Sequence, residues 1–177
     1  MKMNWKLFLA LFIFLVLGIL IYGSYLPEER YLTKIYHFKS SKQKVWESVR
    51  NIENQTSWRS DLKEVTILSK DPETWKEKTS SGSEMTFATV ELLESSVWKM
   101  KIIEPTYLEG NWVGTFQDLE DGTEVRFRES VRVKNPFFRI LSFLFFDIDK
   151  TMNLYIQNLS LHLGETFEEK NLRTSVE

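Results

Sequence analysis

Apolar positions along this chain recur with three different spacings, and each marks a different kind of element. From Leu7 to Leu26 the run LFLALFIFLVLGILIYGSYL is apolar on every side and holds no charged residue. At 1.5 Å per residue, about 20 such positions cover a hydrocarbon core of roughly 30 Å. After Pro27 the pattern changes to that of a folded domain. Tyr31 to Phe38 reads as a strand, and Ser40 and Gln43 offer a capping box in front of Val45, Trp46, Val49 and Ile52, which are spaced as one face of a short helix. A further helical turn is expected around Trp58. Six strands follow, over Val65 to Ser69, Thr74 to Lys78, Glu84 to Glu94, Val97 to Glu104, Glu109 to Leu119 and Thr123 to Lys134. The turn signals between them (Asp71-Pro72, Ser81-Gly82-Ser83, Glu94-Ser95-Ser96, Pro105, Asp121-Gly122) are short enough to demand antiparallel neighbours. Asn135-Pro136 then opens a helix, with Leu141, Phe145, Ile148, Met152, Tyr155, Leu159 and Leu163 forming one stripe. The stripe predicts one long helix that stops at Gly164, followed by a polar, disordered tail from 165 to 177.

One residue breaks the alternation. In TEVRFRESVRV, Val125, Phe127, Val131 and Val133 share a strand face, and Glu129 falls among them. A carboxylate there is either a polar anchor in an apolar pocket, with its pKa raised by desolvation, or a structural group that reaches solvent at the rim or pairs with an arginine such as Arg59.

The charges beside the first apolar run orient it. Lys2 and Lys6 precede it and Glu28 and Glu29 follow, which places residues 1–6 in the cytoplasm, residues 7–26 across the membrane and the domain, 27–164, on the extracytoplasmic side. Such a chain is a single-pass membrane protein. The alternative is a secretory signal cut near Ser24, although the run is long for a signal core and lacks an A-x-A site.

Composition narrows the chemistry. Of 177 residues, 42 % are hydrophobic and 14 % aromatic, enough for one domain with a core of large rings. A net charge of −2, from 23 Lys+Arg against 25 Asp+Glu, gives no attraction for nucleic acid. Without cysteine there is no disulfide, thiolate metal site or cysteine nucleophile, and two histidines make a poor metal centre. No serine–histidine–aspartate set, same-face carboxylate pair or glycine-rich phosphate loop is found, so no catalytic constellation is assigned and no cofactor or metal is implied.

The order strand, short helices, six-strand meander, long helix is the helix-grip arrangement. The stretch LPEERYLTKIYHFKSSKQKVWESVRNIENQTSW, the Gly110/Trp112 strand, the Asp121-Gly122-Thr123 hairpin and Asn135, Pro136 and Arg139 at the last helix agree with it. In these features the chain resembles the START-like (SRPBCC) superfamily, in its polyketide cyclase/dehydrase-related branch with an N-terminal membrane helix. Departures are visible: Ser40-Ser41 stand where the branch has Ala-Pro, and the turn from Asn54 to Trp58 keeps only its ends. The resemblance implies an α+β fold, a seven-stranded curved antiparallel sheet around a long C-terminal helix, with a largely apolar cavity between them. Met85, Phe87, Trp98, Met100, Trp112, Phe116, Phe127, Glu129, Met152 and Tyr155 would line that cavity, and inward-facing Gly110 and Gly114 would mark a bend or spare volume. The expected partners are a hydrophobic small molecule or lipid, and the membrane through Leu7 to Leu26. The expected function is anchored binding or carriage of that molecule. The alternatives are a cyclase, aromatase or hydratase acting on a polyketide-like or other apolar substrate, with Glu129 or Tyr155 as acid or base, and an interaction module whose cavity is filled. NPFFRILSFLFF carries more apolar surface than one helix face can bury against a sheet, and the surplus is expected to face either the membrane or neighbouring loops.

Overall fold

The computed structural model describes residues 5–175. Met1 to Asn4 of the expected cytoplasmic stretch, and Val176 and Glu177 of the expected tail, lie outside them. The first element, α1 (Trp5–Tyr25), is the apolar run; only Gly23 in it is buried. Pro27 ends it, because the residue before a proline is driven out of the helical region. Strand β1 (Glu29–Phe38) follows, then α2 (Lys42–Arg50), which buries Val45, Trp46 and Val49, and a 3₁₀ turn over Ile52–Ser57 capped by the Asn51 side chain. The capping box does not form. Ser41, not Ser40, stands at the N-cap and makes no side-chain cap bond, while the Ser40 N–H is already taken by the Glu165 carboxylate at 2.8 Å.

The meander lies where the alternation places it: β2 (Leu62–Lys70), β3 (Glu73–Thr79), β4 (Glu84–Leu93), β5 (Val97–Glu104), β6 (Glu109–Leu119) and β7 (Gly122–Arg132). Each pairs antiparallel with the next, and β7 returns to pair along the full length of β1. Irregular register in β2–β3 and β4–β5 helps bend the sheet.

Two expectations need correction. The terminal stripe is not one helix but two, α3 (Pro136–Phe145) and α4 (Ile148–His162). Phe146 is extended, Asp147 caps the new helix by accepting from the Lys150 N–H, and Arg30 of β1 holds the joint by donating to the carbonyls of Ser142 and Phe146 and to the Ser142 hydroxyl. Nor is 165–175 disordered. The Glu165 carboxylate accepts from the Lys39 and Ser40 N–H groups, Phe167 stacks on Tyr36, and β8 (Arg173–Ser175) adds to the free edge of β1. The sheet therefore has eight strands, in the order β2-β3-β4-β5-β6-β7-β1-β8, rather than seven. Buried Lys34 fastens the new edge by donating to Thr174 and to Asp149 of α4.

The core lies between the inner sheet face and the two helices α2 and α4, around Phe38, Val45, Trp46, Val49, Val125, Phe127, Ile156 and Leu159. Arg139 ties the end of α1 to this body. The buried Arg139 guanidinium donates to four main-chain carbonyls, of Gly23, Leu26, Val133 and Lys134, at 2.8–3.2 Å. Gly23 itself lies so close under α3 that a Cβ there would stand 2.4 Å from the Pro136 carbonyl oxygen.

A candidate ligand cleft between sheet and terminal helix

Register places the unusual carboxylate. Directly opposed residues share a face, and one row across the inner side of the sheet reads Leu32, Glu129, Trp112, Met100 and Thr89, on β1, β7, β6, β5 and β4. Tyr155 descends onto this row from α4. Its ring lies 5.6 Å from Phe127, 6.4 Å from Trp112 and 5.4 Å from Trp58.

The ten residues expected to line a cavity divide into two groups. Phe87, Trp98, Phe116, Phe127 and Met152 are buried in the core. Trp75, Trp98, Trp112, Phe127 and Phe116 form a continuous chain of ring contacts at 5.0–5.9 Å, which fills the α2 end of the interior. Met85, Met100, Trp112, Glu129 and Tyr155 are only partly buried although they belong to the inner face. The ten do not form one enclosed lining: half are packed in the core and half lie at its partly exposed margin. The two glycines explain part of the difference. A Cβ on Gly114 would meet the Trp112 ring at 2.4 Å, and one on Gly110 would meet Ile102 at 2.4 Å. These glycines make room for the protein's own side chains.

Around Tyr155, some polar groups lack partners among the described residues. Glu129 makes no hydrogen bond or ion pair with any described residue; Arg59, its expected partner, instead binds Asp61, Glu77 and Gln55. Burial pushes the Glu129 carboxyl up to about 7, with the Arg59 and Arg30 charges pulling partly back. Burial likewise drives the Tyr155 phenol upward against the pull of Arg59, so it is a neutral donor at any physiological pH. Burial opposes the charge on Arg59, but Glu77 and Asp61 more than offset it and keep the guanidinium protonated. The Trp58 Nε1–H, beside Tyr155, is buried and unpartnered. Three unpartnered polar groups therefore lie among rings and the Arg59–Asp61–Glu77 cluster: an acid raised to about 7 and two donors.

Trp58 and Arg30 were not legible as site residues, and Arg59 only as a possible partner of Glu129. They sit outside the periodic runs, and the only hint was the family-like turn that ends at Trp58.

The family model for polyketide cyclase / dehydrase and lipid transport proteins matches residues 40–156, which hold α2, the 3₁₀ turn, the meander, α3 and the first part of α4. The chain belongs to this family. Structures similar to this chain include a START superfamily protein from Mycobacterium smegmatis (TM-score 0.63, 15 % identity, 76 % of this chain and 97 % of that one). Norcoclaurine synthase from Thalictrum flavum aligns at TM-score 0.62 and 11 % identity over 77 % of this chain and 87 % of its own. A conserved protein from Geobacillus kaustophilus aligns at 0.60 and 10 % over 81 % and 98 %. Identities this low establish the START-like helix-grip fold alone. Comparison with curated proteins gives no match.

Proposed function

We propose that this protein is a membrane-anchored START-like domain that binds an apolar small molecule or lipid in the cleft between the inner sheet face and α4. The observation that carries the reading is the unpartnered polar pair, Glu129 and Tyr155, on the same partly buried part of the interior as Met85, Met100 and Trp112. Neither group has a hydrogen-bond partner among the described residues, so both are free to bond an oxygen-bearing guest. Burial of the guest's apolar surface, at roughly 25 cal/mol per Å², supplies the driving force. The polar groups fix its orientation. Met85 and Met100 suit such a site, since flexible thioethers adapt to guests of differing shape.

Anchoring is part of the proposal. Trp5–Tyr25 is long and apolar enough to cross a bilayer. Arg139 takes the Gly23 and Leu26 carbonyls as ligands, and a signal-peptide cut near Ser24 would strip away the first of them. That favours an uncleaved helix, with the domain on the extracytoplasmic side according to the flanking charges.

The decisive experiment is native mass spectrometry of the full chain released from detergent, followed by organic extraction. One apolar molecule per chain is expected. A bare chain would leave the ring-filled interior as an interaction module instead. A second reading, acid–base catalysis on an apolar substrate, is favoured by the Glu129 carboxyl at about 7, where it can both give and take a proton at neutral pH. On that reading Glu129→Gln retains the guest and loses turnover; a variant that keeps both excludes it.

A further inference from the structure

Helix α3 has the sequence PFFRILSFLF, and its one charge is turned inward. Arg139 is buried, its guanidinium spent on the four carbonyls that join α1, β7 and α3. The outer surface of α3 is therefore charge-free, and Phe137, Phe138, Phe143, Leu144 and Phe145 are exposed on it, the last two at 69 % and 83 %. Single exposed apolar side chains are ordinary in water, but a whole helix face of them is not.

The position of α3 identifies what covers it. Pro136 packs on Gly23, and a groove of about 550 Å³ runs between the two helices, walled by Phe14, Ile19 and Tyr22 on α1 and by Phe137, Ile140 and Leu141 on α3. At 1.5 Å per residue, Phe14 lies about 16 Å from the Tyr25 end of α1, well inside the hydrocarbon if α1 spans the membrane. A helix that shares a groove with those residues shares their depth.

We propose that α3 is a second membrane-embedded element, a short monotopic helix sunk into the leaflet where α1 ends, with acyl chains covering its free face and filling the groove. The inference rests on the anchor reading of α1 given above. Its consequence concerns the cleft. Arg30, whose charge acts on Glu129, also donates to Ser142 and Phe146 and lies 4.2 Å over the Phe143 ring. Tyr107, next to Leu108 on the β5–β6 loop, stacks on Phe138 at 4.8 Å. Through Arg30, the end of α3 is thus linked to the part of the inner sheet face that carries Glu129.

Because the chain has no cysteine, one introduced thiol is the only labelling site. The full chain is reconstituted in phosphatidylcholine vesicles with a fluorescent label at Leu144→Cys or Phe145→Cys. Leu15→Cys serves as the reference in α1, and Glu120→Cys, exposed on the β6–β7 hairpin, as the reference in the domain. Spin-labelled lipid should extinguish the label at 144 and 145 as fully as at 15, and aqueous iodide should leave it unchanged; at 120 the reverse should hold. Iodide access at 144 and 145, with 15 still in lipid, overturns the embedded helix and leaves the anchor standing. Protection from both quenchers means that protein covers α3 and overturns it too. Iodide access at 15 removes the anchor and the proposal together.

Discussion

Replacing Glu129 by glutamine keeps the shape of the side chain and removes its charge, and the effect on stability can be worked out from its surroundings. In the folded chain the carboxyl titrates at about 7, against an ordinary value of 4.5. Below pH 4.5 it is protonated both folded and unfolded, and its ionisation has no influence. Between 4.5 and 7 the folded state keeps a proton that the unfolded state has released, so stability falls as pH rises. Above 7 both states are ionised and the penalty is complete. Each pKa unit is worth about 1.4 kcal/mol, which makes the full penalty about 3 kcal/mol. Glu129→Gln escapes it. The variant and the parent should therefore have similar stability at pH 4.5 and diverge as pH rises, with the variant more stable by about 3 kcal/mol at pH 8. Urea unfolding of the detergent-solubilised chain, followed by tryptophan emission at a series of pH values, measures the difference directly. Other titrating groups contribute equally to both proteins and cancel. A difference that does not change with pH would refute the argument, because it would mean that Glu129 is solvated as an ordinary surface carboxylate.

Three further outcomes follow from the packing. Tyr155→Phe should leave stability within about 0.5 kcal/mol, since the hydroxyl has no protein partner to lose, while weakening the binding of an oxygen-bearing apolar guest; equilibrium unfolding and probe displacement separate the two effects. Gly114→Ala should lower the urea midpoint by about 1–3 kcal/mol equivalent, because the new methyl must displace the Trp112 ring that lies on the glycine. Arg139→Ala should cost about 2–5 kcal/mol by orphaning its carbonyl partners, and should open the Leu26–Glu29 segment to proteolysis before the domain itself is cut.

The meander could be read from sequence because each strand carries its own alternation and each turn its own breaker. The break between α3 and α4 could not. Leu141, Phe145 and Ile148 keep helical spacing straight through it, and its causes are tertiary: the Asp147 cap competes with helix continuation, and Arg30 on a distant strand claims the Ser142 and Phe146 carbonyls. The ordering of 165–175 was hidden for a related reason. The segment is polar, yet one carboxylate, Glu165, satisfies two main-chain donors at the β1–α2 turn, and one ring, Phe167, finds Tyr36. In the cleft, Glu129 stood out as a charge on an apolar face, but whether Arg59 would neutralise it depended on Asp61 and Glu77 holding that guanidinium elsewhere. Nothing in the spacing of Gly110 and Gly114 distinguished room for a guest from room for Ile102 and Trp112.

The most direct test of the central claim is where a guest makes contact. A membrane-permeant apolar probe carrying a photoactivatable diazirine, irradiated in vesicles that contain the full chain, should attach to peptides bearing Met100, Trp112, Glu129 or Tyr155, and an excess of unlabelled apolar competitor should abolish that labelling. Attachment confined to α1 and α3, with the inner sheet face and α4 unlabelled, would contradict a cleft that takes up a guest.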